Sequence, residues 1–324
     1  MMPAEPEFEV LVRKVCSETS EIRSFELTAK PGEVLPPFEA GAHIDVFPLP
    51  GLSRQYSLVN DPQDRGRYVI GVKRELNGRG GSSAMHTQLR EGTVVRIGTP
   101  RNNFALRPGQ GRCLLLAGGI GVTPLLSMAQ ALWTRGVDYE LHYFARSNSE
   151  IAFRDLILES PWSSRVAYHY DLVPPLLNDV LDEILRARPG DASLYVCGPN
   201  PFMDIVKTCA EAGGWPAGSI VMEHFSAEPP KLVAGAGEFV VRLAKSGLEL
   251  IVPSDKAIID VLREADVEIK TSCEQGVCGT CLTAVIEGEP DHHDLYLSDE
   301  EHAAGRLMTP CVSRCKSKLL VLDI

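Results

Sequence analysis

Four cysteines in the last sixth of the chain constrain its fold more than any other feature. Cys273-Glu274-Gln275-Gly276-Val277-Cys278-Gly279-Thr280-Cys281 spells C-x4-C-x2-C, and Cys311 follows after 29 further residues. Cys315 stands close by, while Cys16, Cys113, Cys197 and Cys209 are scattered through the first two thirds. Nine cysteines is an odd number, and a disulfide framework belongs to short secreted chains, not to one end of a 324-residue one. Metal ligation is the reading that fits.

The spacing matches the plant-type pattern that holds a [2Fe–2S] cluster. A loop of this kind wraps tightly round two irons and two sulfides. Gly276 and Gly279 let its backbone bend and aim N–H groups at sulfur where side chains would collide. Soft thiolates suit iron, and Cys273, Cys278, Cys281 and Cys311 supply the four that a cluster needs. Zinc is the alternative metal, but it usually takes paired C-x2-C knuckles, which x4 spacing and one distant cysteine do not provide.

A chain of 324 residues exceeds what one core usually holds. Its 44% hydrophobic and 23% charged residues are ordinary for a globular protein. Up to about Arg107, short β-branched or aromatic stretches punctuated by Gly and Pro predict a small antiparallel barrel: Phe8–Val15, Ile22–Thr28, His43–Phe47, Arg54–Val59, Tyr68–Arg74 and Val94–Ile97. One helical stretch, about Ser83–Arg90, interrupts it. Beyond Pro108–Gly111 apolar strands alternate with helical stretches (Pro124–Thr134, Ile151–Glu159, Pro175–Ala187, Pro201–Ala212), which predicts a parallel, doubly wound sheet closed by Ser219–Phe225. A Pro- and Gly-bearing linker follows, then a hairpin around Ser246-Gly247, a helix over Ala257–Ala265, the cysteine loop and a last strand, Leu319–Leu322. The expected domains are therefore 1–108, 109–226 and 238–324, joined by a linker at 227–237.

The net charge of -11 argues against a phosphate-backbone partner, because nothing basic is concentrated enough to release counterions. No apolar run approaches the ~20 residues of a membrane span. The start, Met1 to Glu9, lacks a basic-then-apolar signal pattern, so the expected compartment is the cytoplasm.

Gly118-Gly119-Ile120-Gly121-Val122-Thr123-Pro124 follows a predicted strand and opens a helix, so a pyrophosphate can approach its backbone at a helix N-terminus. It is not the G-x-G-x-x-G fingerprint, and tight packing alone explains it equally well. Cys197-Gly198-Pro199-Asn200-Pro201 repeats the arrangement, and two such turns at one sheet edge fit a nucleotide crevice. Cys197 is either a buried packing residue or a neighbour of the nicotinamide. In Arg54-Gln55-Tyr56-Ser57, alternation puts Arg54 and Tyr56 on one face, able to hold a phosphate and cover a flavin ring, although such a pattern also decorates surfaces. Gly78-Arg79-Gly80-Gly81-Ser82-Ser83 precedes a helix and forms a generic phosphate cradle.

Together the three segments resemble the ferredoxin–NADP reductase superfamily, and the C-terminal ferredoxin domain narrows this to the phthalate dioxygenase reductase and vanillate demethylase reductase type. The resemblance covers nearly the whole chain. It implies an antiparallel β-barrel flavin domain, an α/β nucleotide domain and an α+β β-grasp ferredoxin domain. Arg54, Gln55, Tyr56 and Ser57 would contact the flavin, with Ser57 near its reacting nitrogen, and Val72, Lys73, Gly81, Ser82 and Ser83 would line its ribityl phosphate. Gly119, Gly121, Thr123, Pro124, Cys197, Gly198 and Pro199 would hold the nicotinamide nucleotide, with Cys197 beside its ring. Phe225, in Met222-Glu223-His224-Phe225, matches the aromatic that stacks on the flavin, and is equally a core residue of the closing strand. Met308-Thr309-Pro310-Cys311 resembles the turn delivering the fourth cluster ligand, which leaves Cys315 a bystander.

The same type binds FMN where the wider superfamily binds FAD, and no adenine platform is evident between Gly81 and Thr99. It uses NADH. Arg146, after Phe144-Ala145, suits a 2′-phosphate but has no basic companion nearby, and Asp171 would repel one if it reaches the ribose. The chain is thus expected to be a monomeric reductase that passes electrons from NADH through FMN to [2Fe–2S] and on to a transiently docked Rieske-type oxygenase. A stand-alone flavin or ferric reductase and a non-enzymatic iron–sulfur sensor are the alternatives.

Overall fold

A computed structural model of the chain describes residues 7–76, 80–109, 111–186, 191–225 and 237–324. It divides into two compact units, Met1–Glu223 and His224–Ile324. Residues 226–236, most of the expected linker, and 77–79, part of the expected phosphate cradle, lie outside the described residues.

The first unit opens with β1 (Glu7–Ser17), β2 (Ile22–Ala29), β3 (His43–Leu49), β4 (Leu52–Ser57), β5 (Tyr68–Lys73), α1 (Gly81–Gln88) and β6 (Val94–Gly98). Their order is β4-β3-β6-β1-β2-β5, and every pairing between these strands is antiparallel. The sheet nearly closes on itself: Leu58 bridges Ile70, and the Val59 amide donates to the Val69 carbonyl at 2.8 Å. Inward-facing Val10, Val12, Phe25, Leu27, Ile44, Val46, Ile70 and Val72 are fully buried. Each such side chain stabilises the barrel by ~1.5–3 kcal/mol relative to exposure.

Next come β7 (Arg112–Gly118), α2 (Val122–Arg135), β8 (Asp138–Ala145), α3 (Arg154–Glu159), β9 (Val166–Tyr170), α4 (Leu176–Arg186), β10 (Ala192–Cys197), α5 (Asn200–Ala212) and β11 (Ile220–Glu223). The order is β11-β10-β7-β8-β9, all parallel. β7 and β10 are adjacent while the chain leaves them in opposite directions, so the carboxyl ends of these two strands form the switch point where α/β sheets bind ligands. Barrel and parallel sheet are bonded together. The Phe153 amide donates to Glu18 at 2.8 Å, Ser127 to the Asn60 carbonyl at 2.9 Å, and Gln130 to the Val59 carbonyl at 2.7 Å.

The second unit holds β12 (Phe239–Leu243), β13 (Glu249–Val252), α6 (Ile258–Glu264), β14 (Thr283–Glu287), β15 (Pro290–Asp291), α7 (Asp299–Ala304), β16 (Leu307–Met308), β17 (Arg314–Cys315) and β18 (Leu319–Leu322). The order β13-β12-β18-β14-β16, with β12 and β18 parallel, and α6 against it make a β-grasp. Ile259 of α6 packs on Cys281, Cys311 and Val312, so the helix backs the cysteine loop. Among the described residues no helix is long and apolar enough to cross a membrane.

Two expectations shift. The closing strand ends at Glu223, leaving Phe225 beyond it, half-buried. The helix expected from Ile151 begins at Arg154, because Phe153 takes a left-handed backbone with φ 58°.

Candidate functional site

The two glycine turns meet at the switch point. Gly118 ends β7, Gly119 turns with φ 54°, and Gly121 leads into α2. A Cβ on Gly121 would fall inside the Cys197 carbonyl and 2.6 Å from the Gly198 nitrogen. A Cβ on Gly198 would sit 3.0 Å from the Gly118 Cα. These glycines let two strand ends close into one crevice floor. At Gly119 a Cβ would meet nothing within 4 Å. That open space at the positive end of the α2 dipole can admit an anionic group such as a phosphate, although the Val122 amide already donates to the Gly119 carbonyl. Thr123 donates to the Ile120 carbonyl at 3.0 Å and fixes the turn; Pro124 occupies the first turn of α2. Pro199 caps α5 in an extended conformation.

On the barrel side, β4 carries Arg54, Gln55, Tyr56 and Ser57 beside α1. Gly80, with φ 80°, starts α1 two residues earlier than the sequence predicts. A Cβ on Gly81 would lie 2.5 Å from Arg54 Cγ and 2.6 Å from its Nε, so the guanidinium arm crosses the helix N-terminus. Arg54, Gly81, Ser82 and Ser83 are thereby brought together as an anion cradle. Ser82 is already engaged, accepting from the Glu75 amide at 3.0 Å. Among the described residues the Tyr56 hydroxyl and the Gln55 amide nitrogen are buried with no hydrogen-bond partner. Leaving such groups unsatisfied costs ~1–3 kcal/mol each, a penalty that a bound polar ring system relieves. Burial pushes the Tyr56 hydroxyl pKa up, with Arg54 opposing, so it stays a neutral donor. Ser57 is buried. These residues fit a flavin.

Two other expected contacts point elsewhere. Val72 turns its side chain into the barrel core, and its carbonyl faces His86 Nε2 at 2.9 Å. Lys73 Nζ is paired with Glu75 at 3.2 Å and Glu21 at 3.9 Å. Phe225 belongs to the second unit.

One residue that the sequence did not single out is Glu223. It pairs in register with Cys197 across β10 and β11, and its Oε2 is buried without a partner. Burial pushes its carboxyl up to about 8, and burial with Glu223 nearby pushes the Cys197 thiol well above the usual range. Both are therefore protonated at neutral pH, a neutral acid pair at the carboxyl edge of β10 and β11. The unfolded carboxyl titrates near 4.5. Between that value and about 8 the folded chain keeps a proton the unfolded chain has released. This stabilisation is complete below 4.5 and is lost as pH rises through 8. Glu223→Gln is expected to flatten the stability profile between roughly pH 4.5 and 8, removing a decline of a few kcal/mol. Urea midpoints across that range check it; a variant that declines as steeply as wild type contradicts it.

In the second unit the four cysteines fall into two pairs. Cys281 and Cys311 sulfurs lie 3.3 Å apart, and Cys273 bonds with Cys278. None of the nine cysteines forms a disulfide, and 3.3 Å is far beyond the ~2.05 Å of an S–S bond. It approaches the ~3.8 Å edge of a thiolate tetrahedron with ~2.3 Å metal–sulfur bonds. Gly276 and Gly279 take φ 71° and 69°, and the Gln275 and Thr280 amides donate to Cys273 at 3.3 Å and Cys278 at 3.5 Å. Arg263 of α6 pins the loop through Glu274 at 2.8 Å. Crowding makes the thiols mutually unfavourable as anions: Cys278 pushes the Cys273 thiol up and Cys281 that of Cys311, while bonds from Cys273 and Thr280 draw Cys278 down to about 6. A positively charged centre removes that conflict, and two pairs of thiolates fit a two-iron cluster. Cys315 lies on β17, its sulfur against Ser317 at 3.1 Å.

Comparison with known proteins agrees with this geometry. Residues 241–316 match the model of the 2Fe-2S iron-sulfur cluster binding domain. The chain is 44% identical over 316 residues to vanillate O-demethylase oxidoreductase of Pseudomonas sp. (strain HR199 / DSM 7063), covering 98% of this chain and 99% of that one. It is 42% identical over 306 residues to phthalate dioxygenase reductase of Burkholderia cepacia, covering 94% and 93%. A solved phthalate dioxygenase reductase, described as a modular structure for electron transfer from pyridine nucleotides to [2Fe–2S], superposes with a TM-score of 0.80 at 40% identity over 98% of both chains. The chain therefore belongs to the phthalate dioxygenase reductase family of oxidoreductases, with that family's flavin barrel, nucleotide domain and [2Fe–2S] ferredoxin domain in a single polypeptide.

Proposed function

We propose that this chain is the reductase component of a two-component Rieske-type oxygenase, taking electrons from NADH through FMN to its own [2Fe–2S] cluster and then to the oxygenase. The observation that carries the reading is that one unit holds both the pair of glycine turns and the Arg54–Gly81 anion cradle, in a chain that also carries a four-thiol cradle. A bound flavin accepts hydride as an electron pair and releases electrons singly, which a cluster requires. The residues position and insulate. Gly119 and the start of α2 seat the nucleotide phosphates, Arg54 and the start of α1 seat the flavin phosphate, and Tyr56 and Ser57 face the ring. Cys273, Cys278, Cys281 and Cys311 hold the cluster. Residues 89–93 cross from α1 to β6 in one tight turn, with Gly92 bonded to Val12 and Thr93 to Arg90, which supports FMN over a dinucleotide.

NADH is favoured over NADPH by charge. Arg146 is held by Glu150 at 2.9 Å and faces Glu21 at 3.7 Å, so its guanidinium is already neutralised. Opposing a 2′-phosphate with carboxylates costs several kcal/mol, so kcat/KM for NADH is expected to exceed that for NADPH by roughly 100-fold. A preference for NADPH contradicts this. The wider reading is tested by mixing the NADH-reduced chain anaerobically with a Rieske-type oxygenase. Rapid one-electron reduction that slows with added salt is expected, since the docking is transient and electrostatic. Failure to reduce it, or rates indifferent to ionic strength, overturns that reading. The nine free cysteines support a reducing compartment, the cytoplasm.

A further inference from the structure

Outside the iron–sulfur cysteines, the second unit gathers another set of ligand-type side chains that electron transfer leaves unused. One ligand atom from each of His292, Asp294 and His302 lies within 4.8 Å of the other two. The Asp294 side chain is 0% exposed, His292 10% and His302 26%. Asp294 Oδ2 accepts from the Leu297 amide at 2.9 Å and the Tyr296 amide at 3.3 Å, while Oδ1 accepts from Ser313 at 3.3 Å. Those donors fix the carboxylate with its oxygens toward the two imidazoles, as supporting bonds orient metal-ligating carboxylates. Ser298 and Glu301 cap α7 reciprocally and so fix the turn that presents His302.

The spacing is informative. His302 Nε2 stands 3.3 Å from Oδ2, and His292 Nδ1 stands 3.5 Å from Oδ1. A charge-assisted hydrogen bond would draw such pairs to ~2.7–2.9 Å. Ligands on a tetrahedral ion with ~2.0–2.1 Å bonds lie ~3.3 Å apart instead. Among the described residues His292 Nε2 is buried without a hydrogen-bond partner and Nδ1 has only the Asp294 oxygen at 3.5 Å, and the ring stacks on His302 at 4.3 Å. An unsatisfied buried nitrogen costs ~1–3 kcal/mol, and a coordinated cation removes that penalty at one of them.

We propose that His292, Asp294 and His302 form a binding site for a divalent ion of the zinc class, distinct from the iron–sulfur cysteines. Two imidazoles and one carboxylate select zinc over magnesium or calcium, which demand oxygen ligands. Three protein ligands leave a fourth position for water on the side where His302 is exposed. The site also touches the cluster loop: the Leu295 amide donates to the Gly276 carbonyl at 2.9 Å, and the Tyr296 ring packs over Gly279. An ion here ties the Asp291–His302 segment down as a brace behind the loop.

The test uses the holoprotein, dialysed against micromolar zinc chloride, with zinc and iron measured on the same sample. Wild type is expected to take up about one zinc per chain with its iron unchanged. His302→Gln and His292→Gln should each weaken zinc uptake at least about tenfold, again with iron unchanged. Absence of uptake by wild type, undiminished uptake by the variants, or zinc rising only as iron falls each overturns the proposal. Should His292→Gln fail to fold, the more exposed His302→Gln still decides. A preparation without iron in the wild type refutes the cluster reading instead, so the two failures are distinct.

Discussion

Cys281→Ser is expected to empty the ferredoxin domain of its cluster and cut electron delivery to the oxygenase by more than about 100-fold, while NADH-driven dye reduction through the flavin stays within about threefold. Cys281 is buried and paired with Cys311 at 3.3 Å, against Ile259 and Val312. A serine oxygen is smaller and harder than a thiolate sulfur, and it leaves Cys311 without the partner that completes half of the four-sulfur set. The flavin and nucleotide residues lie in a different compact unit, so their chemistry does not depend on this loop folding round iron. The check is the same preparation assayed twice, once with a dye and once with the oxygenase, together with its iron content. Dye reduction lost along with partner reduction would contradict the division of labour.

Gly121→Ala carries the second large effect. An added Cβ would enter the carbonyl of Cys197 and come 2.6 Å from the Gly198 nitrogen, all backbone atoms that cannot swing aside. The two crevice turns must separate, and forced overpacking of this kind costs ~1–3 kcal/mol or more. Misplacing a positioned substrate by about 1 Å costs ~100-fold, so kcat/KM for NADH should fall by at least that much. Flavin content should persist, because Arg54 and Tyr56 are carried by β4 beside α1, and the added Cβ meets Cys197 and Gly198 instead. Gly119→Ala provides the contrast. Its Cβ meets open space, but φ of 54° strains an alanine by ~1–2 kcal/mol, and the methyl enters the phosphate position. Steady-state kinetics and flavin absorbance on both variants separate the two causes. A Gly121→Ala enzyme with unchanged KM and kcat would show that the crevice tolerates opening.

Much of this arrangement is legible in the sequence for identifiable reasons. The barrel strands alternate cleanly and are punctuated by Gly and Pro, and the parallel strands are short apolar runs followed by helical stretches. C-x4-C-x2-C leaves few alternatives. β14 and α7 escape because Thr283–Glu287 is half-exposed and without strong alternation, and Asp299–Ala304 is under two turns long. Register is also invisible in a sequence. Only the pairing of β10 with β11 sets Glu223 beside Cys197, and only the fold turns Val72 into the barrel core. His292, Asp294 and His302 are separated by a capped helix start, so their convergence could not be read from spacing. The contacts of Glu18 with Phe153 and of Asn60 with Ser127 join residues 135 and 67 positions apart, beyond the reach of local pattern.

The account stands on the two thiol pairs of the second unit and on the flavin cradle of the first. Anaerobic analysis of freshly prepared protein for iron, acid-labile sulfide and flavin, before and after NADH, tests both at once. The expected result is about two irons, two sulfides and one flavin per chain, with flavin and cluster absorbance bleached by NADH. Protein without iron and sulfide, or with zinc held by Cys273, Cys278, Cys281 and Cys311, would contradict it.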